Sequence, residues 1–444
     1  MQSDELIRIA TQQAINFAEH GDWKSYLQTR KFEFTPSIEN NSGGSLLIGD
    51  EAYETLLPVI QFVINDNNWQ RVVEFRDVRV KALELFGDYI FERLNDNDKQ
   101  LKFEELIENA IKLNLQSYVV YVPCNITESS TRQIRINIGP AAIINIPTFQ
   151  ALLDSDRHKL KFTNYQDIWD ECEEKYSQYQ WFVEVKTPPV YSYKIASDIA
   201  SKTALDALNL LHMFIPISHS FRMKTGFGIS PINEAHQIYK SGNGNFAYSL
   251  SKGAAGNVGI PDRFWDHINQ GEHKKWLDVY SKCISLSLDL QNTYPTVNRF
   301  LDATYWMGDA IREENSTTRV VKYVTALERL LTFSENGGLK KIISKRGSAL
   351  LLGAGSIDSA VLSETYENLK KLYQIRSDIV HGIISPTAKN LPMSPVTVDK
   401  LVRDIILSFI ELVGAAIDSK DAEKKLLPWL KGMVKHYGLD LVDK

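Results

Sequence analysis

The residues with the clearest chemical potential in this chain are an arginine and a histidine in the run Arg376-Ser-Asp-Ile-Val-His381-Gly382. Gly382 is a natural residue to follow a helix, so His381 is expected at the C-terminus of the helix that precedes it. An imidazole both accepts and donates a proton near neutral pH, which general acid-base chemistry requires. Ser377 and Asp378 lie one turn back, where they are candidates to orient the ring.

Arg376 occupies a position that the helical pattern assigns to the core. It continues the apolar stripe of its helix, which runs through Leu362, Tyr366, Leu369 and Tyr373. Burying an unpaired guanidinium is costly. We therefore expect Arg376 either to pair inside the fold or to face a cleft or a subunit interface.

The spacing of the two residues argues for a second copy of the chain. Residues five apart on an α-helix lie roughly 140° apart around its axis, so a single helix makes a poor site. Two copies that meet across a twofold axis would bring both Arg376 and both His381 side chains around one cleft. The sequence therefore predicts a homodimer.

The elements that must position this helix predict an α+β chain in three regions. These are a mixed α/β N-terminal domain over residues 1–190, a helical and glycine-rich connecting region over 191–291, and an all-α helical bundle over 292–444. In the first region the patterns predict strands over 31–47, 72–80, 118–123, 132–146 and 181–185, and helices over 5–20, 98–113 and 164–180. Later helices are predicted over 195–214, 274–289, 297–314, 318–333, 339–352, 359–381, 397–418 and 422–437.

Composition limits the partners and the location of the chain. Its net charge of -5 over 444 residues gives no global basic signal, so any nucleic-acid contact needs a local positive patch. The candidates are the cations of the run 340–346, Lys340, Lys341, Lys345 and Arg346, which otherwise form only a solvated helix face. Three widely spaced cysteines, no export signal and no membrane-spanning stretch predict a cytoplasmic protein.

Neither a metal nor a cofactor is expected. The histidines never pair at the spacings of known metal sites. The glycine-rich segment 242–259 lacks the Lys-Ser/Thr of a phosphate-binding loop and is expected to be a flexible loop. It lies in the longer stretch 216–259, whose glycine, serine and asparagine punctuation predicts hairpins or long loops.

The region 292–444 resembles the HEPN superfamily, and most closely its Apea-like branch. The resemblance rests on Leu372-Tyr-Gln-Ile-Arg376-Ser-Asp-Ile-Val-His381-Gly382, on Ala326-Leu-Glu-Arg-Leu-Leu331 and on Lys345-Arg-Gly-Ser-Ala-Leu-Leu351. It implies a dimeric endoribonuclease that needs no metal and leaves 2′,3′-cyclic phosphate ends on RNA, in antiviral or stress defence. His381 would act on the 2′-hydroxyl proton, and Arg376 would stabilise the developing phosphorane.

Other interpretations of the same residues stay open. Many members of the family carry Asn, Asp or His after the arginine, whereas this chain has Ser377. Arg376 could simply tie the bundle together through Glu328 or Asp378, with His381 as a helix cap. The bundle would then be an inactive module for dimerisation or nucleic-acid binding, or a target for nucleotidyl transfer by a partner. In either case the N-terminal domain would bind a trigger or a partner.

Overall fold

The computed structural model describes residues 4–9, 12, 37–39, 45–47, 50–95, 102–127, 131–157, 174, 176–177, 179–226, 232–240, 246–254, 260–335, 337–417 and 422–442. They divide into two compact units. The smaller unit comprises Met1–Tyr118 and Thr187–Asp198, and the larger comprises Val119–Lys186 and Ile199–Lys444. The domain boundary predicted near residue 190 does not follow this division, because the main sheet belongs with the helical region.

The smaller unit is built mainly from three helices, α1 (Asp50–Asp66), α2 (Phe75–Asn95) and α3 (Phe103–Asn114). Residues 4–9 are also helical, in line with the predicted N-terminal helix, whose remainder lies almost entirely outside the described residues. Two short strands, β1 (Ser37–Glu39) and β2 (Ser45–Leu47), pair antiparallel as predicted. Phe86 of α2 and Phe103 of α3 meet edge to face with ring centroids 5.4 Å apart.

The strand predicted over residues 72–80 is wrong, because most of this segment forms the start of α2. Its β-branched residues suggest a strand when they are considered alone. The buried side chains of α2 nevertheless recur at helical spacing, through Val78, Ala82, Phe86 and Tyr89. Tertiary burial of one helical face has overridden local strand propensity.

The larger unit contains a five-stranded antiparallel sheet. Its strands are β3 (Val119–Asn125), β4 (Arg135–Ile138), β5 (Ala141–Asn145), β6 (Trp181–Lys186) and β7 (Lys224–Thr225), in the order β4-β5-β6-β3-β7. The predictions over 118–123, 132–146 and 181–185 are confirmed, the second as a tight hairpin. The register aligns four buried side chains across the sheet, Ile136, Ile143, Val183 and Val122.

The two faces of this sheet are covered differently. Ile136, Ile143 and Val183 join the same apolar core as the helices that follow. The opposite face packs Phe182 against Phe149 of helix α4 (Ile146–Arg157), with ring centroids 4.1 Å apart. The sheet and the helices of the larger unit therefore share one core.

Helices make up most of the rest of the larger unit. They are α5 (Tyr193–Phe214), whose first residues up to Asp198 belong to the smaller unit, α6 (Ile217–Ser220), α7 (Asp262–His267), α8 (Gly271–Ser287), α9 (Pro295–Arg312), α10 (Ser316–Leu331), α11 (Leu339–Gly353), α12 (Leu362–Val380), α13 (Pro395–Ala416) and α14 (Ala422–His436). All eight helices predicted from residue 195 onward are confirmed, with ends that agree within about three residues. A mixed α+β fold dominated by helices is therefore observed. Between α6 and α7, strands β8 (Ile232–Lys240) and β9 (Phe246–Ala254) pair antiparallel, which agrees with the hairpins expected in 216–259. The flexible loop expected over 242–259 is wrong where β9 lies, because those residues are held by pairing with β8.

Helix α13 lies at the centre of the bundle, in contact with α8, α9, α10, α11 and α14. Its one fully buried acid, Asp399, holds three elements together. The Asp399 carboxylate accepts hydrogen bonds from the Tyr323 hydroxyl of α10 (2.9 Å) and from the first backbone N–H of α6, at Ile217 (3.3 Å). Arg403 supplies the opposite charge at 3.6 Å. The buried carboxylate is thus satisfied by hydrogen bonds and by an ion pair.

A second cluster of buried polar side chains lies between α5 and α9. Its members on α5 are Asp206, Asn209 and His212, which are three residues apart and share one face of that helix. The Asn209 amide oxygen accepts a hydrogen bond from Arg312 at 3.0 Å. Gly308 allows the two helices to approach here, because a Cβ at that position would lie 2.0 Å from the same oxygen. Neither ring nitrogen of His212 has a hydrogen-bond partner among the described residues.

Burial perturbs the titration of two members of this stripe in opposite directions. It raises the pKa of Asp206, which is 4% exposed, to about 7. Burial, together with the nearby Arg312 charge, lowers the pKa of His212 well below the usual 6.5. Both groups are therefore favoured in their neutral forms inside the helix pair.

Asp206→Asn is expected to change the pH dependence of stability. Between the ordinary carboxyl pKa of 3.8 and about 7, the folded chain holds a proton that the unfolded chain has lost. The free energy of unfolding of the wild type therefore falls as pH rises through this window, and asparagine removes that loss. From about pH 5 to about pH 8, the stability of the variant relative to wild type should rise by on the order of 2 kcal/mol.

Denaturant unfolding at both pH values measures this difference. Asp198→Asn, at an exposed position on the same helix, is the matched control and should show no such change. A relative stability of Asp206→Asn that stays constant with pH would contradict the assignment of a raised pKa to this carboxyl.

Candidate functional site

The end of α12 has a defined backbone geometry. Gly382 adopts a left-handed conformation with φ of 76°. Its N–H donates to the Ile379 carbonyl (3.1 Å), and the N–H of Ile383 donates to the Asp378 carbonyl (2.8 Å). These two bonds form a Schellman motif with His381 as the C-cap, as the glycine predicts. The backbone that carries His381 is therefore held in place by the helix end itself.

The His381 side chain is exposed and, among the described residues, makes no hydrogen bond. Ser377 contacts His381 through the backbone, where its carbonyl accepts the His381 N–H at 2.9 Å. The Asp378 carboxylate instead accepts a hydrogen bond from the Gln374 amide at 2.7 Å. The structure thus brings Ser377 and Asp378 next to the histidine without joining their side chains to the imidazole.

Arg376 lies at the edge of the buried face of α12, not at its centre. The fully buried positions of this helix are Tyr366, Leu369, Leu372 and Ile375, whereas the Arg376 side chain is 26% exposed. One guanidinium nitrogen, Nη2, lies 3.6 Å from an oxygen of Glu328 on α10. The guanidinium carbon lies 5.9 Å from the centre of the Tyr373 ring.

The contact between Arg376 and Glu328 is loose. At 3.6 Å it is an ion pair but is too long for a hydrogen bond. The Nε atom of Arg376 is buried and has no hydrogen-bond partner among the described residues. Burial and the Glu328 carboxylate raise the pKa of Tyr373 above its ordinary value. The guanidinium therefore has both an internal partner and donor capacity that remains unused.

The four candidate phosphate-binding cations have different environments. Lys341 is exposed and has no side-chain partner among the described residues. Lys340 donates to the Gln374 amide oxygen at 3.0 Å, and so joins the hydrogen-bonded row that ends at Asp378. Lys345 donates to the Val442 carbonyl at 2.7 Å. The three lysines thus differ in how accessible they are to a ligand.

Arg346 is only 5% exposed, and its environment corrects the expectation that it contacts phosphate. Its guanidinium donates to the Leu331 carbonyl at 2.6 Å and pairs with Glu335. Burial alone would raise the pKa of Glu335, but the hydrogen bond from Arg346 lowers it below its usual range. Because the guanidinium is enclosed and paired, we do not include Arg346 in an RNA-binding surface.

A second arginine supports the same helix end. Arg299 of α9 donates to the Arg329 carbonyl (2.7 Å) and to the Thr332 carbonyl (2.6 Å). It also lies over the Phe333 ring, at 4.1 Å from the ring centre. Two guanidinium groups therefore satisfy the free carbonyls at the C-terminus of α10, where the helix dipole also favours positive charge. This arrangement fixes the end of the helix that carries Glu328.

Sequence reasoning did not single out Gln374 as part of the site. Its amide links Lys340 to Asp378 and so connects α11 to the end of α12. The available signal was its spacing of four residues from Asp378, which places both side chains on one helix face. The partner on α11 could be identified only from the fold.

Neither the other side chains nor the comparisons with known proteins assign a function to the chain. Within the described residues, no cluster of His, Cys, Asp and Glu side chains is suited to hold a metal ion, and no helix is long and apolar enough to cross a membrane. Comparisons with protein-family models, with curated proteins and with solved structures find no match.

Arg346→Met should destabilise the fold by about 2 to 3 kcal/mol, because the Leu331 carbonyl loses its donor and the Glu335 carboxylate, which keeps only the Phe333 N–H, loses its partner charge. The matched variant Lys341→Met, on the same helix, should change the free energy of unfolding by less than about 0.5 kcal/mol. Denaturant unfolding of both variants measures the difference. Equal stability of the two variants would show that the buried ion pair does not hold the end of α10.

Proposed function

We propose that this chain is a metal-independent endoribonuclease of the HEPN type, similar to the Apea-like branch, and that it cleaves RNA to 2′,3′-cyclic phosphate ends as a homodimer. The proposal includes a role in antiviral or stress defence and a cytoplasmic location. The N-terminal region 1–190 would respond to a trigger or partner. The region 292–444 would carry the chemistry.

The observation that carries the proposal is the exposure and the hydrogen bonding of the two motif residues, Arg376 and His381. His381 is exposed at a fixed helix end with no side-chain partner among the described residues, and Arg376, five residues earlier on α12, keeps unused donor capacity. A histidine that only capped the helix would be expected to bond a terminal carbonyl. Both groups are therefore available to a ligand.

These two groups suit intramolecular transesterification of RNA. In this reaction His381 takes the proton from a ribose 2′-hydroxyl, whose oxygen attacks the adjacent phosphorus. The bond from phosphorus to the 5′-oxygen breaks, and that oxygen leaves after it gains a proton. Arg376 stabilises the extra negative charge on the pentacovalent phosphorane. The products are a 2′,3′-cyclic phosphate and a 5′-hydroxyl, and no metal takes part.

An apolar surface beside His381 supports the homodimer. Val380 is 53% exposed and Ile383 is 75% exposed, immediately on either side of the sequence His381-Gly382. In a Schellman motif, the residue at the position of Ile383 commonly packs against its own helix. Here it is left 75% exposed, and a second copy that packed on this surface would also place a second histidine near the first.

The contact between Arg376 and Glu328 favours a second candidate function. If Glu328 keeps the guanidinium permanently, the bundle is an inactive module for dimerisation or for nucleic-acid binding, and the smaller unit binds the partner that matters. The 3.6 Å separation and the partial exposure of both side chains favour the catalytic proposal, because an RNA phosphate could displace so loose a partner.

Arg376→Ala and His381→Ala should each abolish RNA cleavage. Loss of a general acid-base group lowers rates by roughly a hundredfold to ten-thousandfold, and loss of the arginine removes charge stabilisation at the phosphorane. The measurement is expression of each full-length chain in cells. Growth is followed together with RNA integrity and sequencing of cyclic-phosphate ends, with and without phage challenge.

Two matched variants keep this test specific. His436→Ala removes an exposed histidine at the end of α14, and Lys371→Ala removes an exposed cation from α12. Both should behave as wild type. If RNA ends are the same in wild type, Arg376→Ala and His381→Ala under every condition, while all three chains are expressed and form dimers, the second candidate function is correct.

Ile383→Asp should shift the protein from dimer to monomer. A carboxylate on each copy at a twofold contact would be desolvated beside its like charge, so association should weaken by at least about tenfold. Sedimentation equilibrium measures the association directly. Val442→Asp, at another partly exposed apolar position, is the control and should keep the wild-type association. Unchanged dimerisation of Ile383→Asp would remove this surface from the interface.

A further inference from the structure

A pocket far along the chain from Arg376 and His381 lies between the C-terminal end of α5 and the start of α7. Its volume is about 370 Å³. The walls are mostly apolar and come from six residues, Phe214, Ile215, Pro216, Ile260, Pro261 and Phe264. Pockets of this size and character are typical of small organic ligands, at the compact end of their range.

Aromatic packing on both sides supports the walls of this pocket. Phe214 packs edge to face on His273, with ring centroids 5.3 Å apart, and parallel to Trp276 at 6.2 Å. On the other wall, Phe264 contacts Trp265 at 5.1 Å. Trp265 is in turn buried against Trp181 of the sheet, at 4.7 Å. The pocket is therefore lined by side chains that are anchored in the core, and a ligand need not order them on binding.

The polar lining of the pocket consists entirely of groups that can carry positive charge. These are His219, Arg263 and His267. None of the three side chains has a hydrogen bond or an ion pair among the described residues. The same helix α7 carries two acids, Asp262, which has an interaction of its own, and Asp266, which is engaged by both terminal nitrogens of Arg132, at 3.2 and 2.9 Å. Three cationic donors therefore line a mostly apolar cavity, and none of the described residues in its lining is an acid.

We propose that this pocket binds a compact organic anion with an aromatic ring, such as an aromatic carboxylate or a nucleoside monophosphate. The ring lies between Phe214 and Phe264, where aromatic side chains favour stacked or edge-to-face contacts. The anionic group lies at the mouth, where Arg263 donates two charge-assisted hydrogen bonds. The two histidines flank it as additional donors. This site is separate from the proposed ribonuclease site and does not depend on that activity.

The test compares two fluorescent probes of similar shape on the full-length protein. 8-Anilinonaphthalene-1-sulfonate carries an anionic group, whereas N-phenyl-1-naphthylamine is uncharged. Wild type should bind one anionic probe per chain with saturation. Arg263→Gln should weaken binding of the anionic probe by at least about tenfold, the size expected for the loss of even one charge-assisted hydrogen bond, and leave binding of the uncharged probe unchanged. Arg222→Gln removes an arginine outside the lining and should leave both probes unchanged.

Competition then identifies the source of the anion. If adenosine 5′-monophosphate displaces the anionic probe from wild type but not from Arg263→Gln, the ligand is a nucleotide. Indole-3-carboxylate with the same behaviour would assign an aromatic carboxylate. Failure of both at millimolar concentration would overturn the proposed ligand class.

Three other outcomes would also overturn the proposal. The first is an absence of saturable probe binding to wild type. The second is that Arg263→Gln weakens the binding of both probes equally. The third is that Arg222→Gln weakens the binding of the anionic probe as much as Arg263→Gln does. The first would mean that the pocket holds no such ligand. The other two would mean that the charge of Arg263 does not recognise the anion at this site.

Discussion

Packing of α12 against α10 and α11 is the constraint on which the candidate site depends. Leu369, Leu372 and Ile375 are buried in that contact, and their burial fixes the rotation of α12 about its own axis. Arg376 follows directly and is brought to the edge of the buried face, beside Glu328. Five residues later His381 emerges on a different side of the helix. The arginine is therefore half enclosed and the histidine is open to solvent, as a consequence of one apolar contact.

That contact is effective only because the end of α10 is held in place. The last carbonyls of α10 would lack partners inside the fold, and Arg299 and Arg346 donate to them from two neighbouring helices. Phe333 lies beside both guanidinium groups. Arginines that resemble surface cations in the sequence thus stabilise the interior of the bundle, and they fix the position of Glu328. Removing either arginine would alter the partner of Arg376 without touching Arg376.

The sequence predicts the helical part of this fold well because the signals there are local. Gly382 ends α12 through a backbone conformation that depends on the glycine itself, and Asn315 and Ser394 cap the starts of α10 and α13 with their own side chains. The same local signals mislead over residues 72–80, where β-branched residues belong to a helix whose burial depends on distant partners. The sheet itself is predicted, whereas its place in the core of the helical unit is a long-range result.

In the candidate site, too, the backbone features are predictable from the sequence and the side-chain partners are not. The sequence His381-Gly382 predicts that the helix ends at the histidine, because the end follows from the backbone conformation of the glycine. The partners of the charged side chains are not predictable in this way. Lys341 and Arg346 are five residues apart in one basic run, yet the first is exposed and the second is buried and paired. Which cation of a run reaches solvent depends on the rotation of its helix against neighbours that are distant in sequence. The pairing of Arg376 with Glu328 likewise depends on how α12 is rotated against its neighbours. Because this pairing is loose, the guanidinium can exchange the internal carboxylate for an external anion. The residue types alone do not determine this property.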